Sequence, residues 1–200
     1  ASNESIRNRL NRIPNTLNKE QLKNSIPEIL SDINFHPEVL DWLKINGCLE
    51  QALNKSVKIK YSPLEKRILF FYEDDIGAIG RTLIPTLKPK WKVYGDCSGL
   101  FVAGKGDLAV VVEDCASAIS ISRIKGVIGI ALAGTSISSK QKHLLTTYNN
   151  IIICLDKDAS YNAISLMDVL KPFTNVKVKL LEKDLKDLTK KEIHELILLW

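Results

Sequence analysis

The second half of the chain alternates short apolar runs with amphipathic helical segments, and this alternation limits the possible fold more than any other feature. The runs are LAVVVE (108–113), VIGIALAG (127–134), NIIICLD (150–156) and VKVKLLE (176–182), and a helical pattern follows each one. Strands that are apolar along their whole length need cover on both faces, and alternation with helices is typical of a parallel sheet. We therefore predict an α/β domain, a mainly parallel sheet flanked by helices, over residues 107–200.

The first half has a different character. The segment HPEVLDWLKING (36–47) has helical spacing with a proline in its first turn and a glycine at its end. From residue 57 the pattern changes to short β-type runs, in which RILFFYE and AIGRTLI, on either side of DDIG, predict a hairpin. We therefore expect a smaller, basic, mixed α+β subdomain over residues 1–106, with a helical lead-in up to residue 34 to which we assign no function.

Composition narrows the class of protein. The 200 residues are 45% hydrophobic and 26% charged, with a net charge of +5, which weakly favours a polyanionic partner. No apolar run has the length of a membrane-spanning helix, so we expect a cytoplasmic protein with no membrane partner. The four cysteines are scattered without a metal-binding spacing, so no zinc site is expected.

Carboxylates stand where the predicted strands end. Glu113 ends the first run, Asp156 ends the third, and Asp158 comes two residues later. Because ligands gather at the carboxyl ends of parallel strands, these groups should meet at one edge, where they would suit Mg²⁺ or Mn²⁺. Asp184 and Asp187 follow the last run and would supply oxygens for a second metal ion, an arrangement suited to phosphoryl transfer.

A simpler explanation exists for single members of this set. An aspartate after a strand is often the N-cap of the next helix, and Asp114 and Asp158 could each be only that. The metal hypothesis is favoured because several strand ends agree.

These motifs resemble those of the Toprim domain of topoisomerases and primases. The matching segments are VVVED…SAI, IALAGTS, IIICLDKDAS and EKDLKDL. The sequence is most similar to the bacterial and bacteriophage DNA primase branch, through GTSISSKQKHLL and KDLKDL. The upstream segment RILFFYEDDIGAIGRTL…KPKWKVY also resembles the basic subdomain of the primase catalytic core, so the likeness covers roughly residues 35–188.

The resemblance implies roles for particular residues. Glu113, Asp156 and Asp158 match the catalytic metal-binding carboxylates, and Asp184 and Asp187 match the later acidic pair. The basic residues Arg67, Arg81 and Lys90 match positions that face the template strand or the incoming nucleotide.

The implied function is primer synthesis on single-stranded DNA from nucleoside triphosphates with Mg²⁺ or Mn²⁺. The resemblance also implies a role in phage or mobile-element replication, in the host cytoplasm if the protein is from a phage, with a replicative helicase as a further partner. Two departures are Asp114, where primases commonly have glycine, and Lys157 between the paired aspartates.

Two further basic segments leave alternatives open. Trp91 and Tyr94, interleaved with Lys90 and Lys92, could stack on bases or pack into a core. GLFVAGKG (99–106) matches a phosphate-binding loop only up to Lys105 and leads into a strand, so we do not expect a nucleotide loop there. Lys105 could still face the cleft.

Two other functions compete with primer synthesis. A Toprim nuclease would use the same carboxylates to cleave phosphodiesters, and a primase-like binding module would hold single-stranded DNA or a helicase without chemistry. The upstream hairpin favours primase over nuclease, and the acidic set favours an enzyme over a binding module.

Overall fold

Two β-sheets with helices around them form the part of the chain that the computed structural model describes, residues 25–133, 137–181, 183 and 185–198. The helices are α1 Pro37–Ile45, α2 Leu49–Leu53, α3 Cys115–Ile121, α4 Ser139–Leu145, α5 Ser160–Leu170 and α6 Lys190–Leu198. The strands are β1 Ile59–Ser62, β2 Arg67–Phe71, β3 Gly77–Thr82, β4 Trp91–Gly95, β5 Phe101–Gly104, β6 Gly106–Val112, β7 Gly126–Ala131, β8 Asn150–Asp156 and β9 Asn175–Leu181.

The first sheet is antiparallel, in the order β1-β2-β3-β4. Its centre is the predicted hairpin, with Leu69 of β2 opposite Gly80 of β3. A side chain at Gly80 would stand 2.5 Å from the Tyr94 ring, so glycine there allows that ring to lie against the backbone of β3. The predicted hairpin is therefore confirmed.

The second sheet has the order β5-β7-β6-β8-β9. Strands β6 to β9 are parallel, and β5 joins the edge antiparallel to β7. The predicted α/β class, with a mainly parallel sheet and flanking helices, is confirmed. Because β5 belongs to this sheet, the change from one sheet to the other falls between Gly95 and Phe101, ahead of the division predicted at residue 106; the limits of independent domains stay a prediction.

Both faces of the parallel sheet are covered. Alternate residues of β6 point to opposite faces, so that Val110 and Val112 pack with α3 and the first sheet while Val111 packs with α4 and α5. The first sheet and the parallel sheet share one core, in which the Phe70 ring lies 6.4 Å from the Phe101 ring, edge to face. This shared core places the antiparallel hairpin on the α3 face of the parallel sheet.

Strand order reverses around β6. The chain leaves β6 through α3 and returns as β7 on one side, and then crosses through α4 to β8 on the other side. The carboxyl ends of β6 and β8 are therefore neighbours at the position where α/β proteins bind ligands. In the part of the chain that the structure describes, no helix is both long enough and apolar enough to span a bilayer.

Candidate active site

Three carboxylates meet at the neighbouring ends of β6 and β8. Glu113 is the first residue after β6, Asp156 is the last residue of β8, and Asp158 lies in the short 3₁₀ turn Lys157–Ala159. One oxygen from each side chain lies within 4.8 Å of the others. The backbone N–H of Asp156 donates to Oε1 of Glu113 at 3.4 Å, which ties the two strand ends together. The structure thus brings together the three groups that the sequence predicted to converge.

The electrostatics of this group favour a cation. Partial burial and the charges of Asp156 and Asp158 raise the pKa of Glu113 above its ordinary value, although the hydrogen bond from Asp156 opposes the shift. Three carboxylates at this separation repel each other near neutral pH unless a positive charge lies between them. Carboxylate oxygens are the ligands that Mg²⁺ and Mn²⁺ prefer, so the three residues fit a divalent cation.

Of the two aspartates that could have been only N-caps, Asp114 is one and Asp158 is not. Asp114 caps α3, since its Oδ1 accepts the backbone N–H of Ser117 at 2.8 Å. Helix α5 begins after Ala159 without a side-chain cap, so Asp158 does not serve that purpose. Two aspartates that each follow a strand therefore have different roles: Asp114 caps the beginning of a helix, and Asp158 joins the acidic group.

The later acidic pair is only partly described. Asp184 lies outside the described residues, as does the Gly-Thr-Ser segment 134–136. Asp187 is exposed at the end of the 3₁₀ turn Leu185–Asp187 and is not part of the group of three. Leu185 lines a small recess with Glu113 and Asp156, so the turn lies beside the acidic group. A metal-binding role for Asp184 and Asp187 stays a prediction.

Arg67 lies inside the fold. Its side chain is 3% exposed, and its guanidinium donates to the carbonyl oxygens of Gly80, Pro89 and Lys90 at 3.3, 2.8 and 3.4 Å. These bonds hold the segment between β3 and β4 against β2. The structure therefore places Arg67 as a support for the backbone at Lys90, and it is not on the surface that faces solvent.

Arg81 faces the acidic end of β6. Its guanidinium lies 5.8 Å from the Trp42 ring and 5.5 Å from the Trp91 ring. Burial lowers the pKa of Arg81, and the charge of Asp114 opposes that shift. Both side chains line one small recess, together with Lys90, which is itself exposed. Arg81 and Lys90 are thus the two predicted basic residues that the structure brings to the recess beside Asp114, the residue that follows Glu113.

Trp42, the second ring beside Arg81, is a residue of this site that the sequence did not indicate. Its helical spacing in α1 is that of an ordinary apolar face, so no local signal indicated a contact with β3.

The aromatic residues of β4 divide between core and rim. Tyr94 is fully buried, and its hydroxyl donates to Glu65. Lys92 also reaches Glu65, at 2.9 Å. Trp91 is half-buried, with its ring 6.0 Å from the Phe70 ring. Core packing thus accounts for Tyr94, while Trp91 keeps a partly open face beside Lys90.

Lys105 lies at the other end of the parallel sheet. It is exposed and joins β5 to β6, whose residues Gly106–Val112 separate it from Glu113. A strand of that length spans roughly 20 Å. The structure therefore does not bring Lys105 to the carboxylates. The strand that follows it agrees with our rejection of a phosphate-binding loop, which would open a helix.

A larger cavity adjoins the acidic group on the α4 and α5 face, and sequence analysis did not predict it. Its volume is about 470 Å³, and Glu113 and Asp158 form part of its wall. Its lining comes from four different parts of the chain, which is why no local motif revealed it. Further residues of its lining are Leu132, Ile137, Lys142, Leu155, Asn162 and Ser165.

The chain is similar to known proteins in structure and not in sequence. No protein-family model matches the sequence, and no curated protein matches it. The structure of the Aquifex aeolicus primase, which contains zinc-binding and RNA polymerase domains, matches with a TM-score of 0.64 and 17% identity, covering 84% of this chain and 56% of that one. The chain has the fold of a DNA primase catalytic core.

Two other primase structures agree with this assignment. A DnaG primase catalytic domain bound to single-stranded DNA matches with a TM-score of 0.52 and 19% identity, covering 92% of this chain and 67% of that one. The RNA polymerase domain of Mycobacterium tuberculosis primase DnaG matches with a TM-score of 0.53 and 15% identity, covering 98% of this chain and 77% of that one. The resemblance predicted from motifs is confirmed as a primase-core fold, and the chain spans little more than half the length of the Aquifex protein.

Proposed function

We propose that the chain is a DNA primase catalytic core, which joins nucleotides into short primers on single-stranded DNA with the help of divalent metal ions. The observation that carries this proposal is the group formed by Glu113, Asp156 and Asp158 at the reversal point of the parallel sheet. The primase-core fold around that group favours primer synthesis over other reactions that use clustered carboxylates.

The three carboxylates would hold Mg²⁺ or Mn²⁺, with Asp184 and Asp187 as further proposed ligands. A bound divalent cation neutralises charge on phosphoryl oxygens and activates the attacking hydroxyl. The chain's own contribution is to keep three acidic side chains close together on rigid strand ends, which costs stability until a cation is present.

Arg81 of β3 and Lys90 of the connection between β3 and β4 would bind the phosphates. Lys90 is exposed beside Arg81, and both lie on the α3 side of the carboxylates. We assign them to the triphosphate or the template backbone, since Lys and Arg bind phosphate through charge-assisted hydrogen bonds. We also assign Trp91 to stacking on a base. Lys92 would add charge beside it, although Lys92 already pairs with Glu65. A DnaG neighbour solved with single-stranded DNA supports this assignment of the template.

The proposal extends to the setting of the reaction. Replication of a phage or mobile element, with a replicative helicase as partner, is what the resemblance in sequence motifs favours.

One incubation tests the proposed function against its rivals. The purified chain is mixed with single-stranded DNA, nucleoside triphosphates and Mg²⁺ or Mn²⁺, and the products are separated on a denaturing gel. We expect new short oligonucleotides. Cleaved template without new products would indicate a nuclease, and a mobility shift alone would indicate a binding module.

The variant Asp156→Ala links the activity to the acidic group. We expect synthesis to fall by at least about a thousandfold, because removing one ligand disrupts the metal site on which the transition state depends. The circular dichroism spectrum should match that of the unchanged chain, since Asp156 is half-exposed at a strand end. Undiminished synthesis by the folded variant would refute the mechanism.

A further inference from the structure

A groove lies beside β5, the end strand of the second sheet. In the described part of the chain β5 pairs with β7 alone, so its other edge has no partner strand. Such an edge presents backbone N–H and C=O groups that a further strand can bind. Gly99, Leu100 and Val102 line the groove, whose volume is about 430 Å³. The groove therefore adjoins an open strand edge.

The tip of the β2–β3 hairpin and the end of α4 form the other walls. The hairpin contributes Tyr72, Glu73 and Asp74, and the segment from α4 towards β8 contributes Leu144, Thr147 and Tyr148. Burial and the charge of Glu73 raise the pKa of Tyr148, which shows that these two walls lie close together. Leu100 and Val102 give the groove an apolar floor. The acidic residues of the hairpin tip form its rim.

The rim carries negative charge in a protein whose net charge is +5. None of the described residues that line the groove is basic. Glu73 and Asp74 are exposed, and neither forms an ion pair with another described residue, whereas the adjacent Asp75 pairs with Lys58 at 2.7 Å. Two uncompensated carboxylates repel nucleic acid and attract a cationic ligand.

The groove is separate from the acidic group of the candidate active site. Strand β7 lies between β5 and β6, the strand that leads to Glu113. No described residue lines both this groove and the cavity beside the carboxylates. Helix α4 contributes Lys142 to the cavity and Leu144 to the groove. A ligand in the groove therefore leaves the carboxylates accessible.

We propose that this groove is a docking site for an extended, basic segment of a partner protein. The segment adds as a strand to the open edge of β5 and places an apolar side chain against Leu100 and Val102. Its lysine or arginine side chain reaches Glu73 and Asp74.

Both halves of this assignment follow from the walls. Strand addition gains affinity from main-chain hydrogen bonds and specificity from alternate side chains, and it needs an open edge beside a groove. Lysine and arginine combine an aliphatic stem with a charged end, which matches an apolar floor with an acidic rim. Single-stranded DNA and nucleoside triphosphates carry the wrong charge for this surface.

Selection from a library of short random peptides displayed on phage tests the proposal. The whole chain is immobilised in buffer with Mn²⁺, so that the three carboxylates hold a cation and do not attract basic peptides. We expect the enriched peptides to carry a lysine or arginine next to an apolar residue. Absence of enrichment, or enriched peptides without a basic residue, would overturn the proposal.

Matched variants then locate the bound peptide. The most enriched peptide is labelled with fluorescein and titrated by anisotropy against Glu73→Lys and against Asp41→Lys, which makes the same change in net charge at an exposed position of α1 outside the groove. We expect Glu73→Lys to raise the Kd by about tenfold or more and Asp41→Lys to change it by less than about twofold. Equal effects would mean that binding follows net charge, which would overturn the proposal.

A second pair changes the space in the groove and not the charge. Thr147→Trp places a ring in the groove from an exposed position, and Asn149→Trp places the same ring at an exposed position that does not line it. Thr147→Trp should weaken peptide binding by about tenfold or more, because the ring occupies the volume that the peptide needs. Asn149→Trp should leave the Kd unchanged. Unchanged binding by Thr147→Trp would place the peptide elsewhere and overturn the proposal.

Backbone methylation of the peptide tests strand addition itself. Alternate N–H groups of a strand point to the same side, so methylation of every second nitrogen blocks one edge of the peptide and leaves the other edge free. Of the two peptides methylated in alternate registers, we expect one to lose binding and the other to retain it. Equal binding by both would refute pairing with β5.

Sedimentation of the chain alone tests a second copy as the occupant. We expect a monomer for the unchanged chain and for Thr147→Trp. A dimer that Thr147→Trp disrupts would show that the groove binds another copy of this chain, which would overturn the assignment to a partner protein. None of these measurements depends on primer synthesis, so the docking site and the proposed function stand or fall separately.

Discussion

Glu113 is the residue at which function and stability oppose each other. Partial burial and three neighbouring aspartates raise its pKa above the ordinary value of 4.5. The native chain therefore holds a proton that the unfolded chain releases, so the contribution of Glu113 to stability falls as pH rises from 4.5 through the raised value. At neutral pH and without metal, the ionised group destabilises the fold.

The variant Glu113→Gln should therefore be more stable than the unchanged chain in the absence of metal. We expect a rise in Tm of about 1 °C, a small effect because solvent screens this exposed group. Added Mn²⁺ should raise the Tm of the unchanged chain and leave that of the variant nearly constant. Thermal melting at pH 7 measures both effects, with Glu28→Gln as an exposed control. An equal response of both chains to Mn²⁺ would count against Glu113 as a ligand.

A measurement of stability can decide whether Arg67 supports the fold or binds DNA. The substitution Arg67→Met removes the guanidinium that donates to the carbonyl oxygens of Gly80, Pro89 and Lys90. The Lys90 oxygen keeps the backbone N–H of Thr82 as a donor. We expect the free energy of unfolding to fall by about 3 kcal/mol, the range for buried charge-assisted hydrogen bonds. Urea denaturation measures the loss, and Lys88→Met, at an exposed position of the same segment, should cost little. Unchanged stability with weaker DNA binding would instead mean that Arg67 reaches the nucleic acid.

At the scale of elements, the connection between β3 and β4 is the proposed phosphate-binding surface. Lys90 is exposed on it, while Arg67 supports its backbone from below. The logarithm of the affinity for single-stranded DNA should therefore fall linearly with the logarithm of the salt concentration. Lys90→Gln should reduce the steepness of that slope by about 0.7, the value for one phosphate contact on a single strand. Titrations at several salt concentrations measure the slope.

Lys171→Gln is the matched control for this slope. Lys171 follows α5, which covers the face of the parallel sheet opposite to α3, and it pairs with Asp168 at 2.6 Å. Its loss should leave the slope unchanged. Equal reductions by both variants would mean that binding follows net charge and not the connection between β3 and β4.

For the whole molecule, the shared core joins the two sheets. Phe70 and Tyr72 from the first sheet pack against Phe101 of β5, which itself pairs with the parallel sheet. We therefore expect the whole chain to unfold in one transition with equal calorimetric and van't Hoff enthalpies. A fragment of residues 107–200 lacks β5 and the cover on one face, so it should melt without a cooperative transition. Cooperative melting of the fragment near the Tm of the whole chain would show that the division at residue 106 separates independent domains.

The sequence alone was sufficient for the parallel sheet, the hairpin and the acidic group. It was not sufficient for the lead-in, because residues 25–32 form no helix although a helical segment was predicted up to residue 34; residues 1–24 lie outside the described part of the chain. The alternation of apolar strands and helices predicted the parallel sheet, and the spacing of RILFFYE and AIGRTLI predicted the hairpin. Both predictions were possible because a strand buried on one face has alternating apolar residues and a strand buried on both faces has a continuous apolar run. The convergence of Glu113, Asp156 and Asp158 followed from a topological rule, since parallel strands end at one edge.

Only the tertiary structure decided which charged side chains face solvent and which strands pair. Arg67 and Lys90 look equally basic in sequence, yet Arg67 is buried because carbonyl oxygens 13 to 23 residues away accept its bonds. The antiparallel pairing of β5 with β7, which joins Phe101–Gly104 to the parallel sheet, is specified by no local pattern. The cavity beside the carboxylates depends on four separate segments. Such features arise from contacts between residues that are distant in the chain, so a local sequence pattern does not predict them.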